Sequence, residues 1–296
     1  MPTATGPLPA EQAGTIALGG DLTVNRMGFG AMRITGQGIW GPPEDVAGAI
    51  ATLRRAVELG VNLIDTADSY GPDVSEELIA EALWPYPAGL VIATKAGWVR
   101  HGPGVWQHNA SPGQIEKAIE GSLKRLRLER IDVYQLHVPD PAVSFDASME
   151  ALARLREQGK IRHVGLSNVT LEHIQRAQKI VPIASVQNRY SFSDREWDFV
   201  VDSCAANGIA FLPWGPMAQG RKANEVVERI AAARRVSTAV VSLAWLLRRS
   251  PAILPIPGTG KVKHLEENVS AAAFRLSDAE FAEMGAVVPR PYWLRG

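Results

Sequence analysis

The sequence predicts an α/β fold of the (β/α)8 type, a TIM barrel, and three observations support this prediction. Short apolar segments alternate with longer amphipathic segments from residue 28 onwards. Eight such pairs follow one another without a break, which favours a closed barrel. The apolar segments are nearly continuous, as is typical of parallel strands covered on both faces. The predicted strand segments are residues 28–32, 62–68, 90–97, 131–137, 161–168, 184–190, 210–217 and 252–259.

The helices between these strands follow from a different periodicity. After the first strand, apolar residues recur at spacings of four, three and four and therefore share one helical face: Val46, Ile50, Leu53 and Val57. Ahead of the third helix, Ser111 and Pro112 are typical of an N-cap and a first helical residue. Two helical segments, residues 224–236 and 240–250, follow the seventh strand.

The chain ahead of the barrel divides into a tail and a hairpin. Residues 1–14 are rich in proline and alanine, lack the pattern of a signal peptide, and are predicted to be disordered. Residues 15–24 have the pattern of a β-hairpin with a Gly-Gly-Asp turn. We expect this hairpin to cap the bottom of the barrel, and residues 15–296 to form a single domain.

An open doubly wound sheet is the alternative architecture. It requires a glycine-rich turn that leads directly into the first helix. The segment GFGAMR supplies only two glycines of that pattern, and the long segment ITGQGIWGPPED separates it from the helix. The sequence therefore argues against a dinucleotide-binding sheet of this kind.

Composition limits the classes of partner. The 296 residues are 46% hydrophobic and 21% charged, with a net charge of zero, so nothing indicates nucleic acid or an anionic membrane as a partner. We expect a small-molecule partner instead. The one cysteine, Cys204, falls on an apolar helical face and is expected to be an inert core thiol, which fits a reducing compartment such as the cytoplasm. The oligomeric state is left open, with a monomer favoured.

Ionisable side chains end several of the predicted strands. Asp65 ends the second strand with Tyr70 just after it, Lys95 ends the third and His137 the fourth. The carboxyl ends of barrel strands converge on one rim, so these four side chains should lie together. Lys95 would pair with Asp65, and its charge is expected to lower the pKa of the Tyr70 phenol. Such a set suits carbonyl reduction by hydride, in which a developing alkoxide takes up a proton.

These residues also carry a family resemblance. Between about residues 28 and 274 the chain resembles an aldo-keto reductase in the segments GFGAMR, NLIDTADSYG, ATKAG, DVYQLH, GLSN, SVQNRYS and IPGTGKVKHLEENV. The catalytic tetrad of that family maps onto Asp65, Tyr70, Lys95 and His137. The resemblance implies reversible reduction of an aldehyde or ketone with Tyr70 as proton donor. It also implies that NADPH binds in an extended form across the rim, with NADH as the alternative cofactor.

The resemblance further implies a set of cofactor-binding residues. Ser167, Asn168 and Gln187 would hold the nicotinamide carboxamide, and Trp214 would stack on its ring. The family commonly places a basic side chain against the adenosine 2′-phosphate, and this sequence offers Lys261, Lys263 and His264 there. Glycine stands at position 258, where lysine is frequent in the family. The implied set is Gly30, Ala31, Met32, Asp65, Ser167, Asn168, Gln187, Trp214, Gly215, Pro216, Met217, Gln219, Gly220, Ile256, Gly258, Thr259, Lys261, Lys263, His264, Glu267 and Asn268.

Tryptophans outside the predicted helices are candidates for the substrate pocket. Loops after barrel strands build small-molecule sites, and aromatic side chains line them. This hypothesis favours a planar aromatic substrate over a small sugar. The loop segments resemble those of a bacterial subgroup that includes pyridoxal reductases. The substrate candidates are Trp40, Trp98, Trp106 and Trp293.

Several alternatives remain open. The enzyme could act physiologically as an alcohol dehydrogenase, or on a broad range of aldehydes and ketones, because the tetrad catalyses both directions. Channel β-subunits share the fold and the tetrad but act as binding proteins, and a cofactor-independent barrel hydrolase or isomerase is a further option. Asp68 is interpreted as a turn or capping residue, and Trp84 and Trp245 as packing residues. No spacing resembles a metal-ligand set, and His101 and His108 are expected to be solvated loop residues.

Overall fold

Seven of the eight predicted strand segments form one parallel sheet in the computed structural model, which describes residues 6–217 and 221–287 but not the side chains of residues 221 and 222. The strands of the described residues are β1 (Thr15–Leu18), β2 (Leu22–Asn25), β3 (Phe29–Gly30), β4 (Leu63–Asp65), β5 (Val91–Ala96), β6 (Trp98–Gly102), β7 (Val105–His108), β8 (Ile131–Leu136), β9 (Ile161–Ser167), β10 (Ile183–Gln187) and β11 (Ala210–Phe211). The order in the sheet is β3, β4, β5, β8, β9, β10 and β11.

The eighth predicted segment closes the barrel without being a regular strand. On one side the N–H of Leu254 donates to the carbonyl of Phe211 at 2.9 Å. On the other side the N–H of Gly28 donates to the carbonyl of Pro255 at 2.9 Å. Pro255 lacks an N–H of its own, which interrupts the ladder. The predicted TIM barrel is confirmed.

Helices cover the outer face of the sheet. Their bounds within the described residues are α1 (Val46–Glu58), α2 (Val74–Leu83), α3 (Pro112–Leu126), α4 (Phe145–Glu157), α5 (Leu171–Gln178), α6 (Asp198–Ala206), α7 (Arg221–Arg234), α8 (Thr238–Arg249), α9 (Val262–Ser270) and α10 (Asp278–Val287). The α1 helix is capped by the Asp45 carboxylate, which accepts from the N–H of Gly48 at 2.8 Å. Ser111 precedes α3 as predicted, but its hydroxyl donates to Asn109 Oδ1 at 2.8 Å and makes no capping bond.

Within residues 6–217 and 221–287, no single helix is both long enough and apolar enough to span a membrane. Residues of α7 and α8 meet the length and composition test only when they are taken together, and the two helices are bent by 103°.

Because side chains alternate between the two faces of each strand, the core has an outer part and an inner part. Outward-facing residues pack under the helices, and inward-facing residues fill the barrel together with the hairpin. The inner cluster is Leu18, Leu22, Val24, Leu63, Val91, Ala93, Val133, Ala210, Leu212, Leu254 and Ile256. Because Leu18, Leu22 and Val24 come from β1 and β2, the hairpin closes the bottom of the barrel as expected.

The turn of this hairpin is also as expected. Gly19 and Gly20 have φ angles of 60° and 87°, which glycine adopts without steric cost. Asp21 completes the turn, and its N–H donates to the carbonyl of Leu18.

Three expectations about local structure are wrong. Within the tail that was predicted to be disordered, Pro9–Ala13 form a 3₁₀ helix, because Ala10 is buried and its N–H donates to the carbonyl of Leu59 at 2.9 Å, whereas residues 1–5 lie outside the described residues. The segment that contains His101 and His108 is an antiparallel hairpin of β6 and β7. Trp84 follows the end of α2 and is half exposed, whereas Trp245 is buried as expected.

The packing of the hairpin against the barrel predicts that shortening a side chain on its inner face destabilises the protein. We expect Leu18→Ala to lower the free energy of unfolding by about 2–5 kcal/mol, because a buried leucine leaves a cavity among packed neighbours. Thr23→Ala, on the exposed face of β2, should change it by less than about 0.5 kcal/mol. Urea denaturation of the two variants measures both values. Equal effects would contradict the role of the hairpin as a plug.

Candidate active site

Asp65 is the centre of the polar layer at the open end of the barrel. The strand period places it two residues after Leu63 of the inner cluster, just as Lys95 stands two residues after Ala93. Lys95 Nζ lies 2.6 Å from Asp65 Oδ2, and both side chains are almost completely buried. The second oxygen, Oδ1, accepts from the amides of Gln135 at 3.0 Å and Gln187 at 2.9 Å. One carboxylate therefore joins strands β4, β5, β8 and β10.

Tyr70 and His137 lie against this ion pair. Lys95 Nζ is 5.2 Å from the centroid of the Tyr70 ring, and it also donates to the carbonyl of Thr66 at 2.7 Å. The rings of Tyr70 and His137 meet edge to face with centroids 5.8 Å apart. The structure thus brings together all four side chains of the predicted tetrad.

Burial decides the protonation of Tyr70. The low-dielectric surroundings raise the pKa of Tyr70 above its ordinary value, and the opposing charge of Lys95 only partly offsets this. The expectation that Lys95 lowers the pKa of Tyr70 below its usual value is therefore wrong, because it took no account of desolvation. A raised pKa leaves Tyr70 a neutral phenol at physiological pH, which is the form that can donate a proton.

The two basic groups beside Tyr70 differ in charge. Burial disfavours the ammonium of Lys95, but its interactions with Asp65 and Tyr70 together outweigh this effect, so the pKa of Lys95 is raised. Burial, with the charge of Lys95, holds the pKa of His137 well below its usual range. The site therefore combines a fixed cation, a neutral imidazole and a neutral phenol.

Asn168 connects the tetrad to the next part of the rim. Its side-chain NH₂ donates to the carbonyl of His137 at 3.0 Å and to Ser167 Oγ at 3.1 Å. Its Oδ1 accepts from Trp214 Nε1 at 3.1 Å. Trp214 keeps 39% of its surface exposed, so an aromatic face stays open beside the tetrad. The predicted residues Ser167, Asn168, Gln187 and Trp214 all lie on this side of the rim.

A cleft of about 280 Å³ opens over Asp65 and Tyr70, between the first barrel strand, β3, and the eighth predicted strand segment. Glycine lets these strands approach, since a Cβ at Gly258 would stand 2.4 Å from the carbonyl oxygen of Gly30. The residues that line the cleft are Gly30, Met32, Arg33, Asp65, Tyr70, Gln187, Trp214, Gly215, Pro216, Met217, Ile256, Pro257 and Gly258.

A second cavity of about 520 Å³ continues this cleft, because Met217 and Gly258 line both. It is lined by the predicted residues Thr259, His264, Glu267 and Asn268 and by the start of α8. Asn268 is 6% exposed, and its side chain has no hydrogen bond among the described residues. The Asn268 amide lies in the cavity wall, where it is available to a polar ligand.

We call the cleft and the second cavity together the trough. Not every predicted cofactor residue lines the trough. Ala31 is buried and its carbonyl accepts from Ser75 Oγ, while Lys261 and Lys263 line neither cavity. Gln219 and Gly220 lie outside the described residues. Of the three basic candidates for a 2′-phosphate, only His264 faces the trough.

Sequence reasoning missed the contribution of α8 and of Arg33. Ser237 caps α8 by accepting from the N–H of Val240, and Thr238 follows in the cavity wall. The N-cap pattern of Ser237 was a usable signal. Arg33 lines the first cleft, and no hydrophobic or motif pattern marks it.

Three of the four predicted substrate residues form one aromatic wall beside the tetrad. Trp98 meets His137 edge to face at 6.5 Å and Trp106 at 5.8 Å between ring centroids. Trp40 follows on the neighbouring segment, where it pairs with Gly71 directly after Tyr70. We call Trp40, Trp98 and Trp106 the aromatic wall. Trp293 lies outside the described residues.

Other groups singled out in the sequence have different surroundings. Asp68 lies in the turn after β4, as expected, and burial of its carboxyl raises the pKa of that group well above the usual range. Burial also raises the pKa of Cys204 to about 12, as befits an inert thiol. Within the described ranges, no three His, Cys, Asp or Glu side chains are grouped as metal ligands.

Comparison with known proteins identifies the family of this chain. Residues 26–289 match the Aldo/keto reductase family. The chain belongs to that family. It is therefore an NAD(P)H-dependent oxidoreductase, and the resemblance inferred from the sequence is confirmed.

Two curated relatives of this aldo/keto reductase are similar over nearly the whole chain. An uncharacterized oxidoreductase of Schizosaccharomyces pombe is 47% identical over 283 residues, which cover 95% of this chain and 92% of the relative. Pyridoxine 4-dehydrogenase of Escherichia coli is 41% identical over 275 residues, which cover 90% of this chain and 96% of the relative.

Solved structures share the fold. Glycerol dehydrogenase from Gluconobacter oxydans superimposes with a TM-score of 0.83 at 26% identity, covering 94% of this chain and 97% of that one. An aldo-keto reductase from Klebsiella pneumoniae in complex with NADPH superimposes with a TM-score of 0.78 at 25% identity, covering 94% and 96% of the two chains.

The buried ion pair predicts strong coupling between its partners. Asp65→Asn should lower the free energy of unfolding by about 3–5 kcal/mol, because it leaves the Lys95 ammonium buried without a counter-charge. The double variant Asp65→Asn, Lys95→Met should be more stable than the Asp65→Asn single variant. Urea denaturation of the single and double variants near pH 7 forms the test.

The exposed pair of Arg55 and Glu58 provides a matched control, since Glu58→Gln should change stability little. Because the pKa of Lys95 is raised, the contribution of the buried pair is present below the unfolded-state pKa of lysine and is lost as pH rises through the folded value. Strictly additive effects of the two substitutions would contradict the coupling.

Proposed function

We propose that the enzyme reduces an aldehyde or ketone to an alcohol, reversibly, with NADPH as hydride donor. The observation that carries this proposal is the neutral, buried phenol of Tyr70 beside a buried ammonium, at the floor of a cleft with an open tryptophan face. When bound, NADPH supplies a hydride to the carbonyl carbon. The side chains of this protein bind, orient and protonate the substrate.

Tyr70 would donate its phenolic proton to the carbonyl oxygen as negative charge develops there. The ammonium of Lys95 would stabilise the phenolate that remains, and Asp65 keeps that ammonium charged and in place. Neutral His137 can offer a hydrogen bond to the same oxygen without competing as an acid. In the reverse direction, the phenolate would take the proton back from the alcohol.

The trough suits an extended dinucleotide. Its inner end has the exposed side chain of Trp214 for a planar ring, and its outer end has the amide of Asn268 for a heteroaromatic base. His264 and the N-terminus of α8 can receive an anionic group at that outer end. This arrangement supports NADPH over NADH, and the NADPH complex of the Klebsiella pneumoniae relative agrees with it.

A planar aromatic carbonyl is the proposed substrate class. The aromatic wall begins at His137 and extends away from the tetrad, so a flat ring bound on Trp98 would present its carbonyl to Tyr70. The similarity to pyridoxine 4-dehydrogenase supports pyridoxal as one such substrate. The name of that relative also favours a second candidate, oxidation of an aromatic alcohol in the same site. A reducing compartment such as the cytoplasm is part of the proposal, supported by the buried thiol of Cys204.

Removal of the phenolic hydroxyl tests the proposed reaction. We expect the parent protein to oxidise NADPH with pyridoxal or 4-nitrobenzaldehyde, and Tyr70→Phe to lower kcat about 10²- to 10⁴-fold because only the proton donor is lost. Loss of absorbance at the NADPH band measures the rate. NADPH affinity, measured by fluorescence titration, should stay within a few-fold of the parent, since the variant keeps its aromatic ring.

Two results would count against this proposal. Undiminished turnover by Tyr70→Phe would remove Tyr70 from its role. Tight NADPH binding without turnover of any aldehyde or aromatic alcohol would leave only a binding function.

The aromatic wall predicts selectivity between substrates. The double variant Trp40→Ala, Trp98→Ala should lower kcat/KM about tenfold for 4-nitrobenzaldehyde relative to propanal, because aromatic pairing contributes about 0.5–1.5 kcal/mol per ring. Steady-state rates with both aldehydes give the ratio. Trp84→Ala, at a half-exposed tryptophan outside the wall, is the control and should leave it unchanged. An unchanged ratio in the double variant would disprove the proposed wall.

A further inference from the structure

Arg100 is a buried cation at the mouth of the barrel that lacks a carboxylate partner. It lies in β6 and only 7% of its surface is exposed. Among the described residues it forms no ion pair, and its hydrogen bonds go to backbone carbonyl oxygens. The acceptors are Gly38 at 3.0 Å, Ile39 at 2.9 Å, Ser69 at 3.1 Å and Val105 at 3.2 Å.

These acceptors belong to three separate segments of the rim. Val105 is in β7 of the same hairpin, Gly38 and Ile39 follow the first barrel strand, and Ser69 follows β4. A guanidinium presents five N–H groups in a rigid plane and can serve several acceptors at once. An arginine without a carboxylate is costly to bury, so its use here as a connector of backbone segments calls for a functional reason.

Two of the contacts fix the backbone around Tyr70. The carbonyl of Ser69, the preceding residue, accepts directly from Arg100 Nη1. The carbonyl of Ile39 accepts from the same Nη1 and from the N–H of Gly71, the following residue, at 3.3 Å. The guanidinium therefore holds the peptide group before Tyr70 directly, and the peptide group after it through the shared carbonyl of Ile39.

The same guanidinium orders the aromatic wall. Its central carbon lies 3.7 Å from the ring centroid of Trp106 and 5.7 Å from that of Trp40. Stacking on Trp106 holds that ring next to Trp98, which contacts His137. Arg100 thus stands between the two halves of the wall, which come from segments far apart in the chain.

We propose that Arg100 is a positioning residue that sets substrate selectivity, because it holds the wall of Trp40, Trp98 and Trp106 at a fixed distance from Tyr70. This inference rests on the proposed carbonyl reduction at the same site. Arg100 is not among the residues that line the cleft over Tyr70. Its effect on a bulky planar substrate should therefore exceed its effect on a small one.

The experiment compares Arg100→Met and Arg100→Lys with the parent protein. Arg26 offers a control, because it is a half-buried arginine that also donates to carbonyl groups, those of Leu247, Ser250 and Ile253. It follows the hairpin at the opposite end of the barrel. The readouts are the ratio of kcat/KM for 4-nitrobenzaldehyde to that for propanal, and amide hydrogen exchange in residues 36–41 and 98–108.

We expect Arg100→Met to lower the ratio about 10- to 100-fold, in line with the cost of a misplaced substrate-positioning group. Exchange in residues 36–41 and 98–108 should become faster. Arg100→Lys should recover little of the ratio, since a single ammonium cannot serve four carbonyls in a plane. Arg26→Met should lower the thermal stability but leave the ratio and the exchange at the mouth as in the parent protein.

Other outcomes would overturn the inference. Full recovery by Arg100→Lys would assign the effect to charge alone, and an equal fall in the ratio in Arg26→Met would assign it to general destabilisation. Unchanged exchange at the mouth in Arg100→Met would also contradict it. If the parent protein reduces neither aldehyde, the proposed function fails, and the exchange measurement still decides whether Arg100 orders the mouth.

Discussion

The buried ion pair of Asp65 and Lys95 organises the open end of this barrel. A lysine with no exposed surface keeps its charge only if a counter-charge and further hydrogen-bond acceptors are fixed around it. Asp65 and the carbonyl of Thr66 provide them. The remaining oxygen of Asp65 then binds the amides of Gln135 and Gln187, so the pair also fixes the register between four strands. A loss of this register would leave several buried polar groups unpaired at once, which is why the rim is expected to be rigid.

The rigid rim determines what Tyr70 can do. The barrel interior below it is filled by apolar side chains and sealed by the N-terminal hairpin, so water has no route from that side. In these dry surroundings the phenol stays protonated although an ammonium lies close to it. A proton that is held firmly until negative charge develops nearby is appropriate for a step in which hydride arrives at carbon and the oxygen must be neutralised.

The positions of the tetrad could be predicted from the sequence because they depend on local rules. A two-residue period, an apolar strand and a polar residue at its end place Asp65, Lys95 and His137 on one rim once the barrel is recognised. The protonation state of Tyr70 could not be predicted in this way. It depends on how completely the folded chain excludes water, and the sequence shows only that a lysine is near.

Arg100 illustrates a second limit of the sequence. Its acceptors are backbone carbonyls of residues as far as 62 positions away, and a carbonyl is present at every position, so no residue type marks the contact. The hairpin of β6 and β7 was missed for a related reason, since its strands are short and only partly alternating. The outer end of the trough depends on packing between α8 and α9, which a one-dimensional pattern does not contain.

In the proposed reaction, hydride passes from NADPH to a carbonyl carbon at the rim of this barrel while the protein protonates the oxygen. A single-turnover reaction of the parent protein with 4-nitrobenzaldehyde and NADPH that carries deuterium at both C4 positions tests this transfer directly. We expect one deuterium on the carbinol carbon of the alcohol, as read by mass spectrometry. Oxidation of NADPH without deuterium in the alcohol, or tight binding of NADPH with no oxidation, would contradict it.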